Sequence, residues 1–132
     1  MINVCCAIIL NELNKVLVTQ RGSSTNLPLK WEFPGGKIEP NESPEQCIIR
    51  EIKEELDIEI TVKEQLPASK FSYPSIAINL IPFVCKHNNG EIILKEHNDF
   101  KWLNKNELLD LEWADADVAI VNYYLNHFHV GT

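Results

Sequence analysis

The chain has few basic residues for its acidic content. Its 132 residues include 12 lysines and arginines against 19 aspartates and glutamates, which gives a formal net charge of −7. Proteins that bind nucleic-acid polymers present a broad basic surface, because neutralisation of phosphates drives that binding. We therefore expect no nucleic-acid polymer as a partner, and an anionic substrate would have to meet cations placed locally.

Long apolar runs and paired cysteine motifs are also missing. The apolar run over residues 4–10 is too short to cross a bilayer, and no basic segment precedes it as in a secretory signal. The four cysteines form no Cys-x-x-Cys pair and no zinc-binding spacing; they are Cys5, Cys6, Cys47 and Cys85. We therefore expect a cytoplasmic protein with buried, reduced thiols and no association with membranes.

The most informative stretch, residues 31–58, contains a well-marked helix. Ser43 is a favourable N-cap, Pro44 suits the first helical position, and Gln46 completes a capping box. Apolar residues then recur at helical spacing and predict a buried stripe, formed by Ile48, Ile49, Ile52 and Leu56.

The same helix carries a cluster of like charges. Glu51, Glu54 and Glu55 are spaced so that their carboxylates meet on one side, where each pair repels by roughly 0.2–0.5 kcal/mol. A solvated face is one interpretation, since Arg50 can pair with Glu54. The other is a site for a hard divalent cation, because Mg²⁺ prefers carboxylate oxygens and water.

The residues around this helix decide between the two interpretations. Gly36 is followed by five residues and Glu42, and then by seven residues and the run Arg-Glu-Ile-Lys-Glu-Glu-Leu-Asp-Ile over 50–58. This pattern resembles the Nudix box, and the segment Trp-Glu-Phe-Pro-Gly-Gly-Lys over 31–37 resembles its MutT-like branch. The departure is Asp57, where the family has glycine. Asp tolerates the left-handed conformation that ends a helix, so the departure concerns stability and not the metal site.

The resemblance implies a fold and a reaction for one domain over residues 1–132. The fold is the Nudix α/β/α sandwich, an α/β architecture with a mixed β-sheet between the box helix and a C-terminal helix. The implied reaction is hydrolysis of a nucleoside triphosphate, of the CTP type or oxidised such as 8-oxo-dGTP, to the monophosphate and pyrophosphate, as in sanitation of the nucleotide pool and DNA repair. Alternatives are hydrolysis of ADP-ribose or a dinucleoside polyphosphate, or a nucleotide-sensing module without catalysis. The sequence does not separate a monomer from a homodimer.

The resemblance also implies a cofactor, Mg²⁺ or Mn²⁺, and its ligands. The expected ligands are the Gly35 carbonyl together with Glu51, Glu54, Glu55 and Glu96. Glu96 precedes Trp102 by the spacing seen in the MutT-like branch. Glu51 would hold or deprotonate the attacking water, although coupled glutamates share that duty and the sequence does not assign the general base.

The expected substrate contacts fall outside the box. Arg21 and Lys37 would approach the phosphates, although each could be a solvated side chain. Apolar residues would wall the base pocket, or else belong to the core; these are Ile2, Val4, Phe33, Tyr73 and Ile78. Asp117 would read the base, as an ionised carboxylate that accepts a hydrogen bond from an exocyclic amine. The alternative is that Asp115 or Asp117 caps the last helix.

Local patterns predict the remaining elements. Strands are expected over residues 4–10 and 16–20 as a hairpin, and Pro82 indicates a strand edge or a bulge. Asn88-Asn89-Gly90 has the signature of a hairpin turn. His97 could be an ordinary loop histidine or a neighbour of the metal, and we favour the loop histidine. The last helix is expected to bury one stripe, formed by Val118, Val121, Leu125 and Phe128.

Overall fold

A mixed β-sheet organises residues 1–25 and 27–127, the part of the chain that the computed structural model describes. In that part the sheet has eight strands: β1 (Ile2–Leu10), β2 (Val16–Gln20), β3 (Trp31–Glu32), β4 (Gly35–Lys37), β5 (Glu59–Gln65), β6 (Ser69–Tyr73), β7 (Ile76–Asn89) and β8 (Asp99–Leu103). Two α-helices accompany it, α1 (Pro44–Leu56) and α2 (Asp115–His127), with a 3₁₀ helix at Lys105–Asp110.

Strands β1 and β7 form the centre of the sheet. They pair in parallel from Ile2 opposite Ile78 to Leu10 opposite Lys86. The other described pairings between these eight strands are antiparallel, including the hairpin in which Leu10 of β1 meets Val16 of β2. The predicted first hairpin is therefore confirmed.

Both faces of the sheet are covered, which confirms the α/β/α sandwich. Side chains alternate across a strand, so the apolar run of β1 supplies both layers. Cys5, Ala7 and Ile9 pack with buried residues of α1, whereas Cys6, Ile8 and Leu10 pack with buried residues of α2. The helix residues of the first layer are Cys47, Ile48, Ile52 and Leu56; those of the second are Ala116, Ile120, Val121 and Tyr124.

Helix α1 has both of its predicted ends. The Ser43 side chain accepts a hydrogen bond from Gln46 N, and the Gln46 side chain accepts one from Ser43 N. At the other end Asp57 lies in the left-handed region, with φ 57° and ψ 35°. The predicted apolar stripe is correct except at Ile49, which is 47% exposed; Cys47 takes its place on the buried side.

Pro82 lies in an inner strand of the sheet, so the expected strand edge is wrong, and neither of the two register shifts between β5 and β7 falls at Pro82. Its carbonyl accepts a hydrogen bond from Leu66 N at 2.9 Å, on the side where β7 changes partner from β5 to β6. A proline lacks the N–H that would return this bond. The sheet therefore accommodates Pro82 at a break between two neighbouring strands.

The predicted hairpin turn at residues 88–90 is also wrong. Strand β7 runs on to Asn89, Gly90 has φ 98°, and residues 91–94 are not a strand. They follow the end of α1 instead, where Ile93 N donates to Leu56 O at 3.0 Å and Lys95 N donates to Glu55 O at 3.2 Å. These bonds carry the chain back across α1 and place Glu96 and His97 near the box helix.

Helix α2 faces the sheet differently from the prediction. Val118 is 45% exposed and Leu125 is half-buried, while Ala116, Asp117, Ile120, Val121 and Tyr124 are buried. Phe128, the last residue of the predicted stripe, lies outside the described residues. The helix begins at Asp115, so Asp115 and Asp117 both lie within it and neither is its N-cap.

The cysteines are free and buried, as predicted, and the Sγ atoms of Cys5 and Cys47 lie 2.6 Å apart between β1 and α1. Within the described residues, every helix is too short or too polar to cross a membrane.

Asp57→Gly is expected to raise the melting temperature by a few degrees and leave activity unchanged, because glycine adopts the left-handed conformation without the Cβ penalty. The change also removes an ion pair between Asp57 Oδ1 and Lys53 Nζ, which lie 3.0 Å apart. Asp57→Asn is the matched control, since it removes the charge but keeps a side chain. Thermal unfolding of the three proteins tests the idea, and a glycine variant less stable than wild type would refute it.

Candidate active site

One cavity of about 680 Å³ collects most of the residues that the sequence predicts to be functional. It lies where β1, β4 and the β6–β7 hairpin meet the ends of α1 and α2. Nine of the predicted site residues line it: Arg21, Phe33, Gly35, Lys37, Glu55, Tyr73, Ile78, Glu96 and Asp117. Val4, a predicted wall residue, also lines it. In the described part of the chain, Glu51, Glu54 and Ile2 lie outside this lining.

The three glutamates in the second half of α1 have different environments. Glu55 is buried, with 5% of its side chain exposed, and it lines the cavity. Glu51 is 17% exposed and Glu54 is 60% exposed, and both pair with Arg50. The helix therefore presents one enclosed carboxylate to the cavity and holds two others beside it.

Arg50 holds the carboxylates together. Its Nε and Nη2 atoms donate to the two oxygens of Glu42, at 2.6 and 2.9 Å. Its Nη1 atom donates to Glu51 at 2.8 Å and to Glu54 at 3.1 Å, and Nη2 also reaches the Lys37 carbonyl at 3.2 Å. Hydrogen bonds from Arg50 lower the pKa of Glu42 to about 2. The pairing of Arg50 with Glu54 expected from the sequence is present, and the network as a whole ties α1 to the segment after β4.

The two glycines before the helix are required by close packing. A Cβ at Gly36 would overlap the Glu51 carboxylate, and a Cβ at Gly35 would overlap the Cys5 backbone. Any larger residue would displace either β1 or the glutamate. The glycine pair thus lets the backbone lie directly against a carboxylate of the box helix.

Burial and repulsion leave Glu55 poorly satisfied. Burial, followed by the negative charges of Glu51, Glu96 and Glu32, raises the pKa of Glu55 to about 9. Its Oε2 atom is buried and has no hydrogen-bond partner. Nearby carboxylates and an unpaired buried oxygen are what a hard cation would satisfy, so the donor set fits a divalent metal ion. Among the described residues no three acidic, histidine or cysteine side chains already form a ligand cluster. Binding would therefore require the glutamates held by Arg50 to reorient.

A second polar group lies beside Glu55 and was missed by sequence reasoning. Glu32 of β3 accepts a hydrogen bond from Arg21 Nη1 at 2.8 Å, and its other oxygen lies 3.0 Å from His97 Nε2. The side chain of His97 is only 4% exposed, and Nε2 is also 3.9 Å from Glu55 Oε1. His97 is therefore a buried neighbour of the acidic residues, and the expectation of an ordinary loop histidine is wrong.

One signal in the sequence could have found Glu32. It stands between Trp31 and Phe33, which are both buried, and a carboxylate with such flanks needs a polar partner. No comparable signal identifies His97, because its burial depends on the path of residues 91–95 across α1.

The rest of the lining is largely apolar, and this apolar end carries Asp117 and Tyr73. Asp117 is 6% exposed, and its Oδ2 atom accepts a hydrogen bond from Phe33 N at 2.9 Å. The Tyr73 hydroxyl accepts one from Ala116 N at 3.1 Å, and the Phe33 ring packs on Trp113 with centroids 4.8 Å apart. Burial, followed by repulsion from Glu32, raises the pKa of Asp117 well above its usual range. This shift is toward the neutral acid, whereas an ionised carboxylate is expected from the sequence; base reading by Asp117 stays a prediction.

Comparisons with known proteins agree with this arrangement. The family model described as NUDIX domain matches residues 1–124. The chain is 34% identical over 125 residues to the CTP pyrophosphohydrolase of Escherichia coli K12, covering 95% of this chain and 92% of that protein. It is 30% identical over 128 residues to the 8-oxo-dGTP diphosphatase of Haemophilus influenzae, covering 97% of this chain and 94% of that protein.

A solved structure also resembles the chain closely. The solution structure of the DNA mismatch repair protein MutT from methicillin-resistant Staphylococcus aureus 252 has a TM-score of 0.76 and 39% identity, over 96% of this chain and 97% of that one. Enzymes of this kind act on small nucleotides and generally use divalent metal ions. On the box motif, the sandwich fold and these likenesses together, the chain belongs to the NUDIX family and is a hydrolase of phosphoric anhydride bonds.

Proposed function

We propose that the protein is a Mg²⁺-dependent nucleoside triphosphate pyrophosphohydrolase, which releases a nucleoside monophosphate and pyrophosphate. The observation that supports this proposal most is that apolar, acidic and basic residues line one cavity. Its apolar end carries Asp117, and its acidic end carries Glu55 and Glu96, while Arg21 and Lys37 line the same space. A base, a sugar and a charged phosphate chain need these three environments in one cavity. The activities named for the two curated relatives, on CTP and on 8-oxo-dGTP, support the same class of substrate.

The residues proposed to hold the metal are the Gly35 carbonyl with Glu51, Glu54, Glu55 and Glu96. When bound, Mg²⁺ or Mn²⁺ neutralises the charge that develops on the non-bridging phosphate oxygens and makes water a better nucleophile. Glu55 is already enclosed at the cavity wall, and Arg50 keeps Glu51 and Glu54 close to it.

The chain's own residues then divide the remaining tasks. Glu51 orients or deprotonates the attacking water; its carboxylate lies against Gly36, directly behind the cavity wall. Lys37 is exposed at the rim, and Arg21 lines the cavity, so both are placed to contact the phosphate chain. Exclusion of bulk water by the buried end would strengthen these interactions.

Asp117 is proposed to read the base together with the walls Phe33, Tyr73 and Ile78. One carboxyl oxygen is occupied by the Phe33 N–H, so the geometry of the group is set by backbone. A neutral carboxylic acid has a proton to donate in addition to its acceptor capacity, so Asp117 can pair with a base edge that presents an acceptor. An ionised Asp117 would instead select an exocyclic amine.

A substrate panel for wild type and Asp117→Asn tests the proposed reaction and base recognition together. The panel contains normal, oxidised and methylated triphosphates, ADP-ribose and a dinucleoside polyphosphate, with Mg²⁺ present. We expect pyrophosphate as the product from triphosphates, and we expect the asparagine variant to change the ratio of kcat/KM between bases more than it lowers turnover on a poor substrate. Asparagine retains an oxygen for the Phe33 N–H and replaces the other oxygen by NH₂. Equal losses on every base would argue against base reading, and inorganic phosphate as the product would argue against the reaction.

Glu54→Gln is expected to lower kcat by roughly a hundredfold or more and to leave stability almost unchanged, since the side chain is 60% exposed. Glu45→Gln on the same helix is the matched control, because Glu45 is exposed and lies outside the cavity lining. Turnover with saturating Mg²⁺ and a thermal melt provide the two measurements. Near-normal turnover in Glu54→Gln would remove Glu54 from the proposed ligand set.

Glu55→Gln is expected to make stability less dependent on pH in the absence of metal. In the native state Glu55 keeps its proton up to about pH 9, whereas the unfolded chain releases it near the ordinary value of 4.5. The unfolded state therefore binds fewer protons between these values, and the free energy of unfolding falls as pH rises across the window. The glutamine variant lacks this contribution, so its curve should be shallower.

Denaturant unfolding with a chelator at pH 5 and pH 8.5 measures that difference, and Glu59→Gln on the exposed start of β5 is the control. Addition of Mg²⁺ at pH 8 should then stabilise wild type more than Glu55→Gln, because only the native wild type offers the full ligand set. Equal pH dependence of stability in wild type and Glu55→Gln would contradict the first expectation. Equal stabilisation of the two proteins by Mg²⁺ would contradict the second.

A further inference from the structure

Glu32 joins two parts of the cavity wall that are distant in sequence. One of its oxygens receives the hydrogen bond from Arg21 Nη1, at the end of β2, and the other lies 3.0 Å from His97 Nε2, in the loop before β8. Glu32 itself lines the cavity and is 20% exposed. Both carboxylate oxygens are therefore used to hold neighbours from different segments.

The local structure fixes the position of this carboxylate. Backbone pairing sets Glu32 opposite Thr19, and the buried Thr19 hydroxyl donates to the Glu32 carbonyl at 3.0 Å. The neighbours Trp31 and Phe33 are 8% and 3% exposed, so neither can move without opening the core. Burial alone would raise the pKa of Glu32, but the hydrogen bonds from His97 and Arg21 outweigh it and hold the pKa below its ordinary value. The carboxylate thus stays charged at a fixed point of the cavity wall.

The two partners of Glu32 serve different parts of the proposed site: one is a proposed phosphate contact, and the other adjoins a proposed metal ligand. Arg21 lines the cavity as a proposed phosphate contact, and its Nη1 atom donates to Glu32. His97 directly follows Glu96, a proposed metal ligand, and its Nε2 atom lies 3.9 Å from Glu55 Oε1. The bond to Glu32 holds the His97 ring, and the ring in turn restricts the backbone that carries Glu96.

We propose that Glu32 is a positioning residue, which sets Arg21 and the Glu96–His97 segment at a fixed separation. The phosphate chain that Arg21 contacts is then aligned with the metal ligands. The proposal rests on the proposed function, because it takes Arg21 as the phosphate contact and Glu96 as a metal ligand. Glu32 acts only through these partners and does not touch the reacting atoms. A residue that orients a ligand-bearing side chain typically changes activity by about 10- to 100-fold when it is lost.

The first test is a double-mutant cycle on kcat/KM with dCTP or 8-oxo-dGTP and Mg²⁺. Glu32→Gln removes the charge and keeps the size, and we expect a loss of about tenfold or more. Arg21→Ala removes the partner. Because Glu32 acts through Arg21, the double variant should lose clearly less than the product of the two single losses. Losses that multiply would overturn the proposal, since Glu32 would then act independently of Arg21. Glu112→Gln is the control, because Glu112 pairs with Lys30 at the surface and is 84% exposed.

Glu32→Asp separates position from charge. Aspartate keeps the carboxylate but is shorter by one methylene, so it cannot reach both partners. We expect a loss similar to that of Glu32→Gln, with a melting temperature close to wild type. Wild-type kcat/KM in Glu32→Asp would overturn the proposal, and this variant keeps the test available if the glutamine variant does not fold.

A readout without substrate separates this proposal from the proposed function. The side-chain ¹⁵N resonances of Arg21 in the metal-free protein report its hydrogen bonding directly. We expect them to move in Glu32→Gln and Glu32→Asp and to stay unchanged in Glu112→Gln. Unmoved Arg21 resonances would refute positioning even if activity falls. If wild type cleaves no member of the substrate panel, the proposed function fails, and the resonances still decide whether Glu32 holds Arg21.

Discussion

The structure depends on carboxylates that are held close together against their own repulsion. Arg50 reduces the repulsion between these carboxylates, because its guanidinium donates hydrogen bonds to Glu42, Glu51 and Glu54. The arrangement compensates Glu51 and Glu54 beside the cavity but leaves Glu55 in the cavity wall with an unpaired oxygen. A fold that fully neutralised these charges would be more stable without metal and would have less affinity for it. The incomplete compensation is thus a stability cost concentrated where a cation is proposed to bind.

The two ends of the cavity use different means to fix their polar groups. At the acidic end, side chains are held mainly by hydrogen bonds to other side chains, as in the contacts of Arg50 and Glu32. At the apolar end, backbone N–H groups hold side chains, since Phe33 N bonds Asp117 and Ala116 N bonds Tyr73. Phe33 lies between β3 and β4, and Ala116 lies in α2, so the polar groups of the apolar end are fixed by backbone. The acidic end can rearrange by rotation of side chains, as the proposed metal binding requires.

Local rules predicted helix α1 and much of the sheet because their causes are local. The capping box at Ser43, the left-handed Asp57 and the alternating run of β1 are each readable from a few consecutive residues. The wrong predictions concern residues whose structure depends on contacts with distant parts of the chain. Pro82 was placed at an edge because the change of partner from β5 to β6 is a property of the whole sheet. The turn signal at Asn88–Gly90 was overridden by bonds from residues 93 and 95 to the end of α1. The role of Glu32 depends on Arg21 and His97, which lie 11 and 65 positions away.

Pro82 has a consequence for how the molecule opens. Because the ladder beside β7 is interrupted there, β6 is attached to the sheet through β7 only, and β5 does not continue into it. Strand β6, which carries Tyr73, therefore has fewer strand partners than β1 or β7, and we expect it to open locally with a free energy below that of global unfolding. In a hydrogen-exchange experiment its amides would form a separate protection class, faster than those of β1. Local opening of β6 would release the Tyr73 hydroxyl from Ala116 N, while β1 and β7 at the centre of the sheet stay paired.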